Sequence, residues 1–437
     1  MKDLLSFVKK QVDQAELYYY QSVYNGVEYQ NGKLNEIEGT IQCGYSLRII
    51  KDNTLGFAYT KNLNSPELFL SGALSSLKAG TKTNLRFSES QNKFVLKTYE
   101  PEIGDLNSKK VVKECNRVIK ILKEKLNTKI DIHLIYGTEE INIINTNGAE
   151  LSSRFSYYLF LCSVVFPHTA GGLDYILKDK KFSPVPDSDL SDLIKMYYQA
   201  KPEQKLKSGR IKVLFLPITL YTVLWRLISG TAGHNIYYKK SPLINKIGEK
   251  IFSEKLTIYE DPHYDAYPFA RTFDDEGTET KRFMIVENGV LKNFYYDLFY
   301  ADKMGTRSTG NGYKNIMRGS EIAALKPVPS LEHITIKPGE KNLKEIINLM
   351  DRGIIVAGVL GAHSGNIPNG DFSVGIEPCL YVEKGQILGR VKNTMIAGNI
   401  YDVMKNVVEV EDKLYPAIMS GKALPAILFD DIMVVSA

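Results

Sequence analysis

Six histidines are the first residues to weigh for chemistry, and their spacing excludes one common use. They stand at 133, 168, 234, 263, 333 and 363; none precedes a glutamate, and no two lie four or five apart. A zinc-hydrolase helix of the HExxH or HExxxH kind needs two imidazoles on one face with a carboxylate between them, so that helix is absent. His234 falls just past ITLYTVLWRLIS (218–229), which reads as one helix closed by a glycine break at Gly230. His234 and His263 read as hydrogen-bonded structural histidines. His363-Ser364, in GAHSGNIPNGDFS (361–373), pairs the residue types of a base and a nucleophile, but adjacent residues rarely face each other, so a mobile polar loop is the plainer reading. Asp274-Asp275-Glu276-Gly277 gathers three carboxylates that could bind a cation or orient a base; acidic turns ending in glycine are common, and a turn is expected. Gly310-Asn311-Gly312 is the nearest approach to a dinucleotide GxGxxG, yet it lacks the third glycine and a clear preceding strand, and reads as a flexible turn. There is no GxSxG elbow and no GxxxxGK phosphate loop. Spacing alone identifies no catalytic centre.

The elements that must position these residues belong to a chain of 437 residues, long enough for two or three domains. Hydrophobic residues at 44% and charged residues at 24% suit a soluble protein with a large core. The net charge of +5 is small and its signs are interspersed, which argues against a nucleic-acid groove. Cys43, Cys115, Cys162 and Cys379 are widely spaced, as expected of reduced thiols in a cytoplasm. The opening MKDLLSFVKKQVDQAELYYY has charges within its apolar stretch, which fits an amphipathic helix rather than a secretion signal. Lys212, Pro217 and Arg226 interrupt the most apolar run, so no membrane span is expected there.

The pattern predicts an α+β protein, not a doubly wound nucleotide fold. An N-terminal domain of antiparallel strands and helices is expected over 1–205, and a strand-rich C-terminal domain over 206–437. Helices are predicted at 3–14, 65–79 and 108–126. In the last of these Val111, Cys115, Val118 and Leu122 keep helical spacing, and the lysines read as a solvated surface. Two strands, 129–136 and 139–146, then a long aromatic strand, 150–166, follow; KFSPVPDSDLSD (181–192) reads as a break. In the second half helices are expected at 218–229, 341–350 and 399–406. Asn31-Gly32, Asn288-Gly289 and Lys384-Gly385 each join two strands, a likeness that hints weakly at a repeated hairpin unit.

Residues 256–314 carry LTI (256–258), TFDDEG (272–277), VENGVLKNF (286–294) and a STGNG run (308–312) after a short Ala…Gly helix. Further on stand PGE to MDRGIIV (338–356), GDFS (370–373), YVEKG (381–385) and IAGN (396–399). In this order the motifs resemble the C-terminal half of the TldD/PmbA family, with the likeness strong over roughly 210–437 and only in outline before that. The resemblance implies a choice between two kinds of chain. One kind carries HExxxH and a later cysteine as a metal site, with the glutamate activating a metal-bound water; the other lacks them. Setting Ser229-Gly230 at the small-residue end of the family's helix puts Tyr221 and Thr222 in the His-Glu slots and Arg226 in the second His slot, and no cysteine follows Cys379. Tyr221, Leu224, Trp225 and Ile228 read as the packed helix face.

By resemblance, then, this is a PmbA/TldE-type chain with no catalytic or metal-ligating residue and no cofactor of its own. It would serve as the non-metal subunit of a protease acting on extended or unfolded peptides, zinc being held by a TldD-type partner. A homodimer is the alternative assembly; neither nucleic acid nor a membrane is an expected partner, and the location implied is cytoplasmic. Candidate groove or loop residues are Arg226, Asp274, Asp275, Glu276, Gly310, Asn311, His363 and Asn399. The alternatives are a DNA-associated regulator, from the family's modulator-of-gyrase label, and a stand-alone hydrolase with a non-metal mechanism.

Overall fold

The computed structural model describes residues 1–91, 95–169, 171–314, 321–417 and 421–436. Its first half begins with α1 (Lys2–Val8), β1 (Gln14–Gln30), β2 (Lys33–Lys51), β3 (Thr54–Thr60), α2 (Pro66–Ser76) and the short β4 (Thr81–Lys82). It continues with α3 (Ser108–Lys125), β5 (Lys129–Asn145), β6 (Glu150–Val165), β7 (Gly172–Asp179) and α4 (Asp187–Ala200). The seven strands form one antiparallel sheet in the order β4-β3-β2-β1-β5-β6-β7.

The α+β class is as predicted, with local differences that have physical causes. Residues 129–145 make one strand rather than two. Gly137 marks a close approach, not a turn, since a Cβ there would lie 1.9 Å from the Val23 carbonyl oxygen. The first helix is shorter than expected and ends at Val8, with β1 beginning at Gln14. The Pro- and Asp-rich break is irregular over 181–186, and α4 begins within it, with Asp187 and Asp189 in its first turn, where carboxylates suit the helix dipole. In α3 the expected face is buried, and Asn107 caps the helix by accepting from the Lys110 amide at 3.0 Å.

The second half holds β8 (Gly209–Phe215), α5 (Tyr221–Thr231) and α6 (Gly233–Tyr237), followed by many short strands. The expected helices at 341–350 and 399–406 are shorter, Leu343–Asn348 and Ile400–Val403. A nine-stranded sheet centres on β8, between Arg352–Val356 and Ile427–Ser436, and a six-stranded sheet centres on Ile258–Glu260 and Ile334–Ile336. The three two-residue turns all have positive φ at both positions, as hairpins of this kind require. They lie in three different sheets.

Two large cores organise these layers. One fills the space between the sheets of the second half and α5. The other joins the halves: Val111 and Leu122 of α3 and Leu190 of α4 share it with Leu214, Leu380 and Leu428 of the nine-stranded sheet. Among the described residues no helix is long and apolar enough to cross a membrane.

Candidate functional site

The predicted site residues fall into two groups. Arg226, His363 and Asn399 meet around loop 361–370, whereas Asp274, Asp275, Glu276, Gly310 and Asn311 meet at a buried turn against the N-terminal sheet.

At the first place α5 runs on through Gly230 and ends at Thr231; Ala232 is extended, and His234 sits in the separate α6. The packed face is as expected at Leu224, which is buried, and at Ile228, which packs against the core, but Trp225 is only half-buried, Tyr221 is 44% exposed, and Thr222 and Arg226 are fully buried instead. Its guanidinium is satisfied by carbonyls. Nε donates to Asp371 at 2.6 Å, Nη1 to Thr222 at 2.6 Å, and Nη2 to Ser364 at 2.7 Å and Ala362 at 3.2 Å. Three of these bonds tie the helix to residues 362, 364 and 371 and the fourth stays within α5, a planar fork of donors that a lysine's compact ammonium does not match. Asn399 holds the same loop from the sheet: its Nδ2 donates to the Asn369 carbonyl at 2.8 Å and to Asp371 Oδ1 at 2.9 Å. Its Oδ1 accepts from the Tyr401 amide at 2.9 Å and caps the short helix that follows. His363 is exposed in this loop, the Ser364 backbone carbonyl accepts from Arg226, and among the hydrogen bonds of the described residues none joins the His363 ring to the Ser364 hydroxyl.

At the second place the acidic turn is not a solvated one. Asp274 is fully buried and accepts from the amides of Glu276, Thr278 and Gly312 at 3.0, 2.9 and 2.8 Å. Burial and the Glu276 charge push its pKa upward against those three donors. Asp275 accepts from Tyr18 Oη at 3.1 Å and the Lys314 amide at 2.8 Å, and pairs with Arg271 at 2.8 Å. Glu276 pairs with Arg48 and accepts from the Leu298 amide at 2.6 Å. Arg48 also pairs at 2.7 Å with Glu16, directly opposite it on β1, and burial raises the Glu16 carboxyl to about 7. The three carboxylates thus turn to different protein donors, and among the described residues no group of three or more His, Cys, Asp or Glu side chains could hold a metal ion.

The glycine run serves this turn. A Cβ on Gly312 would sit 2.2 Å from Glu276 Oε2, and Gly310 has φ +76° with Glu279 O at 2.6 Å from the Cβ position. These glycines admit a carboxylate side chain and a backbone, so STGNG is a packing device rather than a flexible turn. Asn311 is buried, donates to the Ser330 carbonyl at 3.2 Å and accepts from Thr309 Oγ1 at 2.7 Å.

A cavity of about 670 Å³ opens beside Asp275, between the face of the N-terminal sheet and the second half. Tyr18, Tyr20, Phe155, Tyr157 and Phe269 form its aromatic wall, and Lys178, Arg271, Lys314 and Lys422 bring basic groups to it. Burial lowers both Lys178 and Lys314 to about 7 and raises Glu139 to about 7. The sequence reading missed Glu16, Arg48, Arg271, Lys178 and Lys314. The available signal was a charge inside an apolar strand, as in AELYYY and SLRII, where alternation leaves an ionic group on an inward face.

The sequence matches the PmbA/TldA metallopeptidase C-terminal domain over residues 208–436 and domain 1 of the same metallopeptidases over 15–78. It is similar to a metalloprotease TldD homolog from Buchnera aphidicola, 25% identical over 430 residues, covering 93% of this chain and 86% of the relative. A metalloprotease PmbA homolog from Haemophilus influenzae is 26% identical over 301 residues, 62% of this chain and 61% of that protein. In fold it is similar to the crystal structure of TldE from Thermococcus kodakarensis, with a TM-score of 0.90 at 24% identity, covering 100% of this chain and 99% of that one. With the C-terminal domain matched over more than half its length, the chain belongs to the PmbA/TldD metallopeptidase family.

Proposed function

We propose that this chain is the non-metal, TldE-like subunit of a two-chain peptidase that acts on extended peptides, zinc and its activated water being supplied by a TldD-type partner. The observation that carries the reading is Arg226. It stands where the family resemblance sets the second metal-ligating histidine, and four backbone carbonyls fix its guanidinium there. A guanidinium stays protonated, offers no lone pair and repels a dication. Tyr221 and Thr222, in the other two slots, supply neither an imidazole nor a carboxylate. The donor set therefore does not fit zinc. Its own contribution would be a wall of the peptide chamber. Strand edges suit that role, because backbone pairing recognises an extended chain without reading its sequence.

Co-expression with a TldD-type chain bearing HExxxH, followed by size exclusion, tests the partnership. Co-elution at micromolar concentration is expected; two independent peaks would contradict it.

A further inference from the structure

We infer that the cavity beside Asp275 is a binding site for the C-terminal carboxylate of a peptide whose last residue is apolar. Arg271 and Tyr313 line the cavity at 8% and 3% exposure, yet among the described residues the Arg271 Nε–H has no acceptor and the Tyr313 hydroxyl no partner. Buried donors left unpaired are costly and uncommon, and an acceptor entering the cavity would remove that cost. The unpaired Nε–H belongs to a guanidinium, and four basic side chains line the cavity with three carboxylates, so an acceptor that carries negative charge suits it. Lys314 lies over Tyr18 at 3.9 Å and donates to Ser46 Oγ at 2.6 Å, and Lys178 lies over Phe269 at 5.3 Å and donates to the Ala417 carbonyl at 3.3 Å, so both ammonium groups are held at the cavity wall.

The rest of the ligand follows from the walls. The volume of about 670 Å³ takes more than a bare anion, and the aromatic lining favours an apolar side chain beside the carboxylate. Thr40 and Gln42 of β2 stand at the cavity. β3 pairs with β2 only from Tyr45 onward, so among the described residues the outer edge of β2 before that point has no strand beside it. An extended chain paired there would lead its end toward the donors. The choice of a peptide rests on the function proposed above; the chemistry of anion and aromatic wall stands without it.

The test is calorimetric titration of the full chain alone with acetyl-Ala-Ala-Phe as free acid and as C-terminal amide. The acid is expected to bind, with the amide about tenfold weaker or more, as for loss of a charge-assisted hydrogen bond. Tyr313→Phe, which deletes one oxygen, is expected to weaken the acid about tenfold and leave the amide unchanged. Should that variant not fold, Lys422→Met gives the same readout. Equal binding of acid and amide, or no binding of either to protein with a native unfolding transition, would overturn the inference. Failure to associate with a TldD-type chain would sink the proposed function while leaving this titration intact.

Discussion

Two regions of this molecule bury charge in opposite ways. At α5 a single guanidinium is surrounded by neutral carbonyl oxygens, with Asp371 contributing its backbone and not its carboxylate. At the 272–277 turn, carboxylates and cations interlock: Glu16, Arg48 and Glu276 on one side, Asp275, Arg271 and Tyr18 on the other. The first arrangement fastens a loop of the same half. The second fastens the halves to each other, since Glu16 and Arg48 come from β1 and β2. Carbonyls around an arginine need only local geometry, whereas a buried ion network fails as a unit once one charge is removed.

That contrast sets the order of expected effects. Arg48→Ala strands the Glu16 and Glu276 carboxylates in the interior and is expected to cost about 3–5 kcal/mol, read from denaturant unfolding. A cost below that of an ordinary surface substitution would show that the network does not join the halves. Arg226→Ala should cost less, about 1–3 kcal/mol, because water can reach carbonyls of an exposed loop. Its signature is local: amide exchange should accelerate in 361–373 while the 272–277 turn stays protected. Acceleration in both places would mean that the two regions are coupled. Asn399→Ala removes a helix cap and two loop bonds, and about 1 kcal/mol is expected, again with exchange confined to that loop.

The cavity beside the second region gives the pH test. Lys178 titrates near 7 in the folded chain and near 10.5 when unfolded, so between those values the unfolded state holds the extra proton. Its burial therefore costs stability in full below pH 7, and the cost fades as pH rises toward 10.5. Lys178→Met should raise the Tm relative to the parent chain most at pH 6, with the gain shrinking by pH 9. A gain independent of pH would show that the lysine is not held in a desolvated place.

Much of the frame was legible because it is local. Asn31-Gly32, Asn288-Gly289 and Lys384-Gly385 announce hairpins by the positive φ they supply, and the spacing of Val111, Cys115, Val118 and Leu122 announces a buried helix face. What failed was tertiary. Gly137 looks like a turn in sequence and is a contact in the sheet. Arg226 would be placed outward by polarity, but carbonyls from 362, 364 and 371 come to meet it, and no helical pattern foretells them. The TFDDEG carboxylates were found, yet their meaning depends on Arg48 and Tyr18, more than two hundred residues away. The glycines of STGNG were equally visible, and their reason is the Glu276 side chain lying against Gly312.

The central claim is that hydrolysis has to be borrowed from another polypeptide, and metal content measured alongside peptide cleavage tests it most directly. The purified full chain, dialysed against zinc and then against metal-free buffer, is predicted to retain no stoichiometric zinc and to leave an unstructured peptide intact until a TldD-type chain is added. One zinc per chain, with cleavage that a chelator abolishes in the absence of any partner, would contradict the account.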